Sequence, residues 1–173
     1  MAEGGINSSE SLVLGWETWY IEYMEVERMK VMALDYGDAR TGVAVSDALG
    51  MIVGYTTVVS EWNRERTAEK VAALVTEHKP ERLVMGFPKN MDGTEGPRAA
   101  LYREFAALVE EKTGMEVILW DERRTTVEAH NILRANGKKE KKHKKNVDAV
   151  AASLILEGYL NYMKLRRAEH ESP

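Results

Sequence analysis

Three short apolar runs follow one another with no helix between them, at 31–35, 41–46 and 51–59, separated by Tyr36-Gly37-Asp38 and by the turn from Asp47 to Gly50. Runs this close can pair only as an antiparallel meander. Beyond them the period changes. Residues 64–78 place Thr67, Val71, Leu74, Val75 and His78 on one helical face that Pro80 closes, and 83–87 reads as a buried strand. Leu101, Phe105, Leu108 and Val109 mark a second helix, with Pro97 suited to its first position and Gly114 stopping it. A strand at 117–120 follows, ending in Asp121-Glu122, and then a short helix from the Thr125/Glu128 capping pair to Asn136. The longest helix runs from Val147 to Arg166, with Val147, Val150, Ala151, Leu154, Ile155, Gly158, Tyr159 and Tyr162 as its apolar face. Strand–helix–strand alternation demands right-handed crossovers and parallel pairing. The order βββαβαβαα therefore predicts an α/β fold: a mixed five-stranded sheet with an antiparallel edge and helices on both faces.

At 173 residues the chain suits one folding unit, expected over 29–166 with a tail at 167–173. Residues 1–28 differ, since they hold six Glu against Arg28 and account for more than the whole net charge of -4. Trp16, Trp19, Tyr20, Tyr23 and Met24 recur there at helical spacing. Such a helix needs a surface, on the domain or on a second copy, unless the segment is merely sequence ahead of a domain that begins at Met29. The absence of Cys excludes disulfide scaffolds, thiolate metal sites and cysteine nucleophiles. No apolar stretch nears the roughly 20 residues that span a bilayer, and no secretory signal opens the chain, so no membrane partner and a cytoplasmic location are expected.

Asp occurs only six times, and three positions call for a chemical reading. Asp35 ends the first strand, Asp121 with Glu122 ends the last, and Asp148 opens the final helix, one residue off its apolar stripe. If the first strand is central, parallel neighbours release their side chains at one carboxyl edge, where open α/β sheets place their sites. Ala149, Ala151 and Ala152 are small enough to let the helix approach that edge. Gathered carboxylates repel unless they are protonated or share cations. Hard oxygen ligands suit Mg²⁺ or Mn²⁺, and a pair of such ions is the usual device for phosphodiester hydrolysis. Taken singly, each acid has an ordinary explanation: a strand-end turn for Asp35, solvation for Asp121 and Glu122, and a favourable helix dipole for Asp148 with Asn146 as cap. The joint placement is what points to a site.

Two further segments can hold phosphate. The Gly86 to Arg98 loop joins a strand end to a helix start, where free amides favour an anion, and it carries Lys89 and Arg98. Ordinary turn chemistry explains its Gly and Pro content equally well. The run Lys138, Lys139, Lys141, Lys142, Lys144 and Lys145 is either a solvated loop or a clamp on a polyanion beside Asp148, whose grip would weaken steeply with salt. Trp120 reads as core, and Trp62 and Tyr55 admit either role.

Four blocks together resemble a known family: Ala33 to Gly37 with Arg40 to Asp47, the Gly86 to Arg98 loop, Trp120 to Arg123 with Thr125 to Ala129, and Asp148 to Ala152 with Leu154 to Leu156. They resemble the YqgF-like family, also called RuvX or Holliday junction resolvase-like, over nearly all of 29–166. That resemblance implies a ribonuclease H-like fold and a cytoplasmic nuclease acting in maturation of the 16S rRNA 5′ end. It also implies a Mg²⁺ or Mn²⁺ site with Asp35, Glu122 and Asp148 as catalytic carboxylates and Asp121 as the rival ligand. Arg40, Lys89, Arg123, Lys141, Lys142, Lys144 and Lys145 are then expected to hold phosphates of a structured RNA or branched DNA, in a monomer or homodimer. Phe87, Lys89 and Arg124 depart from the family's usual aliphatic residues. The competing readings are a four-way DNA junction resolvase, a non-catalytic nucleic-acid-binding module of the same fold, and an actin-like or sugar-kinase-like ATPase. The ATPase reading rests on the likeness of Asp35-Tyr36-Gly37-Asp38 and Thr41-Gly42 to a phosphate-binding hairpin.

Overall fold

The computed structural model describes residues 29–90, 92–121 and 144–170, with side chains of the last helix over 148–166. Residues 1–28, the lysine run up to position 143 and the helix expected at 125–136 lie outside the described residues. The described elements are β1 (Val31–Asp35), β2 (Arg40–Ser46), β3 (Val53–Ser60), α1 (Arg64–His78), β4 (Arg82–Phe87), α2 (Ala99–Thr113), β5 (Val117–Asp121) and α3 (Lys144–His170). The five strands form one sheet in the order β3-β2-β1-β4-β5, antiparallel from β3 to β1 and parallel from β1 to β5. This is the ribonuclease H-like arrangement expected, with β1 central.

Alternation along each strand divides the core in two. Met32, Leu34, Val43, Val45, Leu83, Met85 and Val117 pack under α1 and α2 through Val71, Val75, Phe105 and Val109. Val31, Ala33, Ala44, Val84 and Trp120 pack under α3 through Ala152, Ile155, Leu156, Tyr159 and Leu160. Helix α1 is closed by Asn63, whose side chain accepts from Arg66 N, and by Lys79 in the left-handed region. Gly114, at φ 69°, closes α2 as expected, but Pro97 stands outside the helix, because Arg98 occupies its N-cap.

The last helix differs from its sequence reading in two ways. It extends to Lys144, so Asn146 is within the helix and Asp148 is its fifth residue rather than its opening one. Its buried stripe is also rotated: Ala152, Ile155, Leu156, Tyr159 and Leu160 are buried, whereas Val150 is exposed. Asp148 lies four residues before Ala152 and so belongs to the sheet-facing stripe, not beside it. The cause is a close approach to β2 at Gly42, which admits only Ala152 at that point of the helix and turns Ile155, Leu156, Tyr159 and Leu160 onto the sheet beyond it.

Candidate active site

Four buried residues, Val31 to Leu34, fix β1 in the middle of the sheet and deliver a half-buried Asp35 at its carboxyl end. The next residue locks the phase. Tyr36 stacks on Phe105 with ring centroids 4.0 Å apart, and its carbonyl accepts from the Tyr102 hydroxyl at 3.1 Å. With Tyr36 pinned on the α2 side, Asp35 falls on the α3 side. Burial pushes the Tyr36 phenol above its ordinary range, which suits packing and not proton transfer at neutral pH.

Asp35 is paired across the ladder with Gly42. A Cβ added at Gly42 would lie 2.1 Å from the Asp148 carbonyl oxygen and 3.2 Å from the Ala152 Cβ. Only glycine permits that contact. It sets the backbone of Asp148 directly over the residue that neighbours Asp35, so residues 113 positions apart in the chain lie at one corner of the sheet. Arg40, two residues earlier on the same face of β2, brings its Nε to 3.4 Å from Asp148 Oδ2. That oxygen is buried and accepts no hydrogen bond, so the guanidinium offsets its charge without saturating its lone pairs.

Asp121 ends β5 opposite Phe87. Trp120 before it packs under α3, 5.3 Å from Tyr159, whereas Leu119 packs on the α1/α2 side. By alternation Asp121 shares the phase of Leu119, opposite to that of Asp35. In keeping with this, the described residues contain no cluster of three or more metal-capable side chains. Glu122, Arg123, Lys141 and Lys142 lie outside the described residues, and Lys144 and Lys145 begin α3.

The loop after β4 is folded largely on itself. Lys89 is exposed and bridges through its backbone to Glu95, Asn90 N donates to the Thr94 carbonyl at 2.9 Å, and Thr94 donates to the Asp92 carboxylate. Arg98 reaches back to Asp38 at 3.0 Å, and Arg103 pairs with Glu95. Thus Lys89 stands at the carboxyl edge, and Arg98 is engaged by the turn after β1. Two features escaped the sequence reading: the Gly42 contact and the Arg40–Asp148 pair. The alternation of Arg40, Gly42 and Ala44 on one face of β2 carried the signal, a charge followed by two small residues facing a small-residue helix.

The sequence profile of the family described as "RuvX: Holliday junction resolvase" matches residues 29–162. A relative from Carboxydothermus hydrogenoformans, named "Putative pre-16S rRNA nuclease", is 42% identical over 134 residues, covering 78% of this chain and 97% of its own length. A relative of the same name from Halothermothrix orenii is 44% identical over 134 residues, covering 78% and 96%. The solved structure of Thermus thermophilus RuvC overlaps 78% of this chain and 97% of that one at 16% identity and a TM-score of 0.48. With the profile spanning all five strands and most of α3, and both relatives covered almost end to end, the chain belongs to the RuvX, or Holliday junction resolvase, family.

Proposed function

We propose that the protein is a divalent-metal-dependent nuclease that hydrolyses phosphodiester bonds in maturation of the 16S rRNA 5′ end. The observation that carries this reading is the seating of Asp148 on Gly42, beside Asp35. The names of the two relatives supply the substrate. Two acids at one corner, one with a buried oxygen that accepts no hydrogen bond, form a hard, anionic donor set, and Mg²⁺ or Mn²⁺ fits it. Asp35 and Asp148 hold the ion together with Glu122. Asp121 remains the rival third ligand, although alternation from Trp120 turns it to the α1/α2 side, opposite to Asp35. The chemistry such an ion supplies when bound is activation of water and neutralisation of charge at the leaving oxygen.

The chain's own residues do the rest. Arg40 balances Asp148 while the site is empty of substrate and is placed to turn toward a phosphate. Lys89, Arg123, Lys141, Lys142, Lys144 and Lys145 hold the flanking backbone, so affinity falls steeply with added salt. The protein works in the cytoplasm on structured RNA, as a monomer or homodimer. Among the described residues no helix is long and apolar enough to cross a membrane.

The test is cleavage of a 16S precursor beside a four-way DNA junction, each with Mg²⁺ and with Mn²⁺. The precursor is cut, and Asp35→Asn abolishes cutting with the circular dichroism spectrum unchanged. Cutting of the junction alone would shift the substrate to branched DNA, as the family's description suggests. Retained cutting by Asp35→Asn would remove the catalytic assignment.

A further inference from the structure

The edge of the sheet that carries the two acids also carries the most exposed large apolar side chain among the described residues. Trp62 is 80% exposed. Strand β3 runs parallel to β1, and its last residue, Ser60, pairs with Arg40. Trp62 therefore leaves the sheet at the carboxyl edge of β1, on the flank of Arg40. Two strand spacings and four residues of rise separate it from Asp35, a span of at most about 17 Å between Cα atoms. Of the other exposed large apolar side chains near the sheet, Leu49, Met51 and Ile52 lie in the turn between β2 and β3, at the opposite edge, and Tyr55 lies within β3 with its ring 4.4 Å from that of His78.

The backbone beneath the indole is held firmly. Glu61 N donates to the Ala39 carbonyl at 3.1 Å, tying the segment to the turn before β2. The Glu61 carboxylate accepts from Trp62 N at 3.0 Å, from Asn63 N at 3.2 Å and from Lys70 Nζ at 2.9 Å. Asn63 then caps α1. This is a rigid mount for a side chain that contributes almost nothing to the core. Trp120, buried against Tyr159, shows how the same residue type is used when folding requires it.

A lone exposed tryptophan is ordinary on a protein surface. Its position at the same sheet edge as the acids, on the flank of Arg40, gives it a use, since nucleobases stack on indole irrespective of sequence. We infer that Trp62 is a stacking platform for an unpaired nucleobase a few nucleotides from the scissile bond, so the substrate presents single-stranded nucleotides on the β3 side of the site. The inference rests on the nuclease reading and narrows its substrate to nucleic acid with an unpaired flank.

The test measures binding of a labelled single-stranded RNA 12-mer and of a blunt RNA duplex by fluorescence anisotropy. The full chain carries Asp35→Asn, alone and combined with Trp62→Ala or Trp62→Phe. Trp62→Ala should weaken binding of the single strand about 5- to 150-fold, the range expected for one stacked base. Duplex binding should stay unchanged, and Trp62→Phe should retain most of the affinity. Equal losses on both RNAs, no loss on either, or a change of oligomeric state in place of a binding loss would overturn the inference and leave the nuclease reading standing. If the parent binds neither RNA, the nuclease reading falls and takes the inference with it.

Discussion

The two faces of the sheet are built on different rules. Under α1 and α2 the strands present large side chains, Met32, Leu34, Val43, Val45 and Met85, all fully buried, and the helices are set off by side-chain volume. Under α3, at the carboxyl edge, the strands present Ala33, Gly42 and Ala44, and the helix comes down to backbone contact. The first face stabilises by burying apolar area and tolerates small shifts in helix position. The second buries Ile155, Leu156, Tyr159 and Leu160 as well, but at Gly42 it trades area for proximity, and what it brings close is the backbone of an aspartate. Both faces hold the fold, and the small-residue corner is the one that can do chemistry.

That contrast is open to attack from both sides. The largest effect on stability should come from Phe105→Ala, which empties a fully buried position stacked on Tyr36. Urea unfolding should show a loss of about 3–5 kcal/mol. Mn²⁺ affinity of the remaining folded protein should be unchanged. Gly42→Ala should cost less in unfolding, about 1–3 kcal/mol, because the added methyl collides with the Asp148 backbone and lifts the start of α3. Yet it should weaken Mn²⁺ binding by about 10–100-fold, as misplacing a ligand does. If Phe105→Ala proved the more damaging to metal affinity, the division of labour between the faces would be wrong.

The smallest effect is electrostatic and sits beside α1. The hydrogen bond from Lys70, with those from the Asn63 and Trp62 amides, lowers the Glu61 carboxyl from an ordinary 4.5 to about 2. A group depressed in the folded state stabilises above its unfolded value, and that contribution disappears as pH falls through the folded one. Glu61→Gln should therefore lower Tm modestly at neutral pH, and the gap from the parent should close between pH 4.5 and pH 2. A gap independent of pH across that window would show that the carboxylate plays no part.

Much of this molecule was legible before any coordinates. The three consecutive runs, then the helix–strand alternation, dictated the mixed sheet and both strand directions, because short connections leave few other topologies, whereas the central place of the first strand entered only as a condition. Asp35 was legible for the same reason. The seating of Asp148 was not, because apolar periodicity weights large side chains and drew the helix stripe through Val150 and Leu154. The actual contact runs through Ala152, chosen by a glycine on a strand more than a hundred residues away in the chain. The pairing of Arg40 with Asp148 depends on that same contact and was hidden with it. That Asp121 shares the phase of Leu119 and not that of Asp35 needed the packing of Trp120 against Tyr159.

The central claim is that Asp35 and Asp148 serve one cation. A double-mutant cycle on Mn²⁺ affinity, with Asp35→Asn, Asp148→Asn and the pair measured by titration calorimetry, tests it directly. Each single change should weaken binding strongly, and the second should add little once the first is made. Independent, additive losses would mean two separate ion sites, and undiminished affinity in either single variant would mean that the corner formed at Gly42 holds no metal.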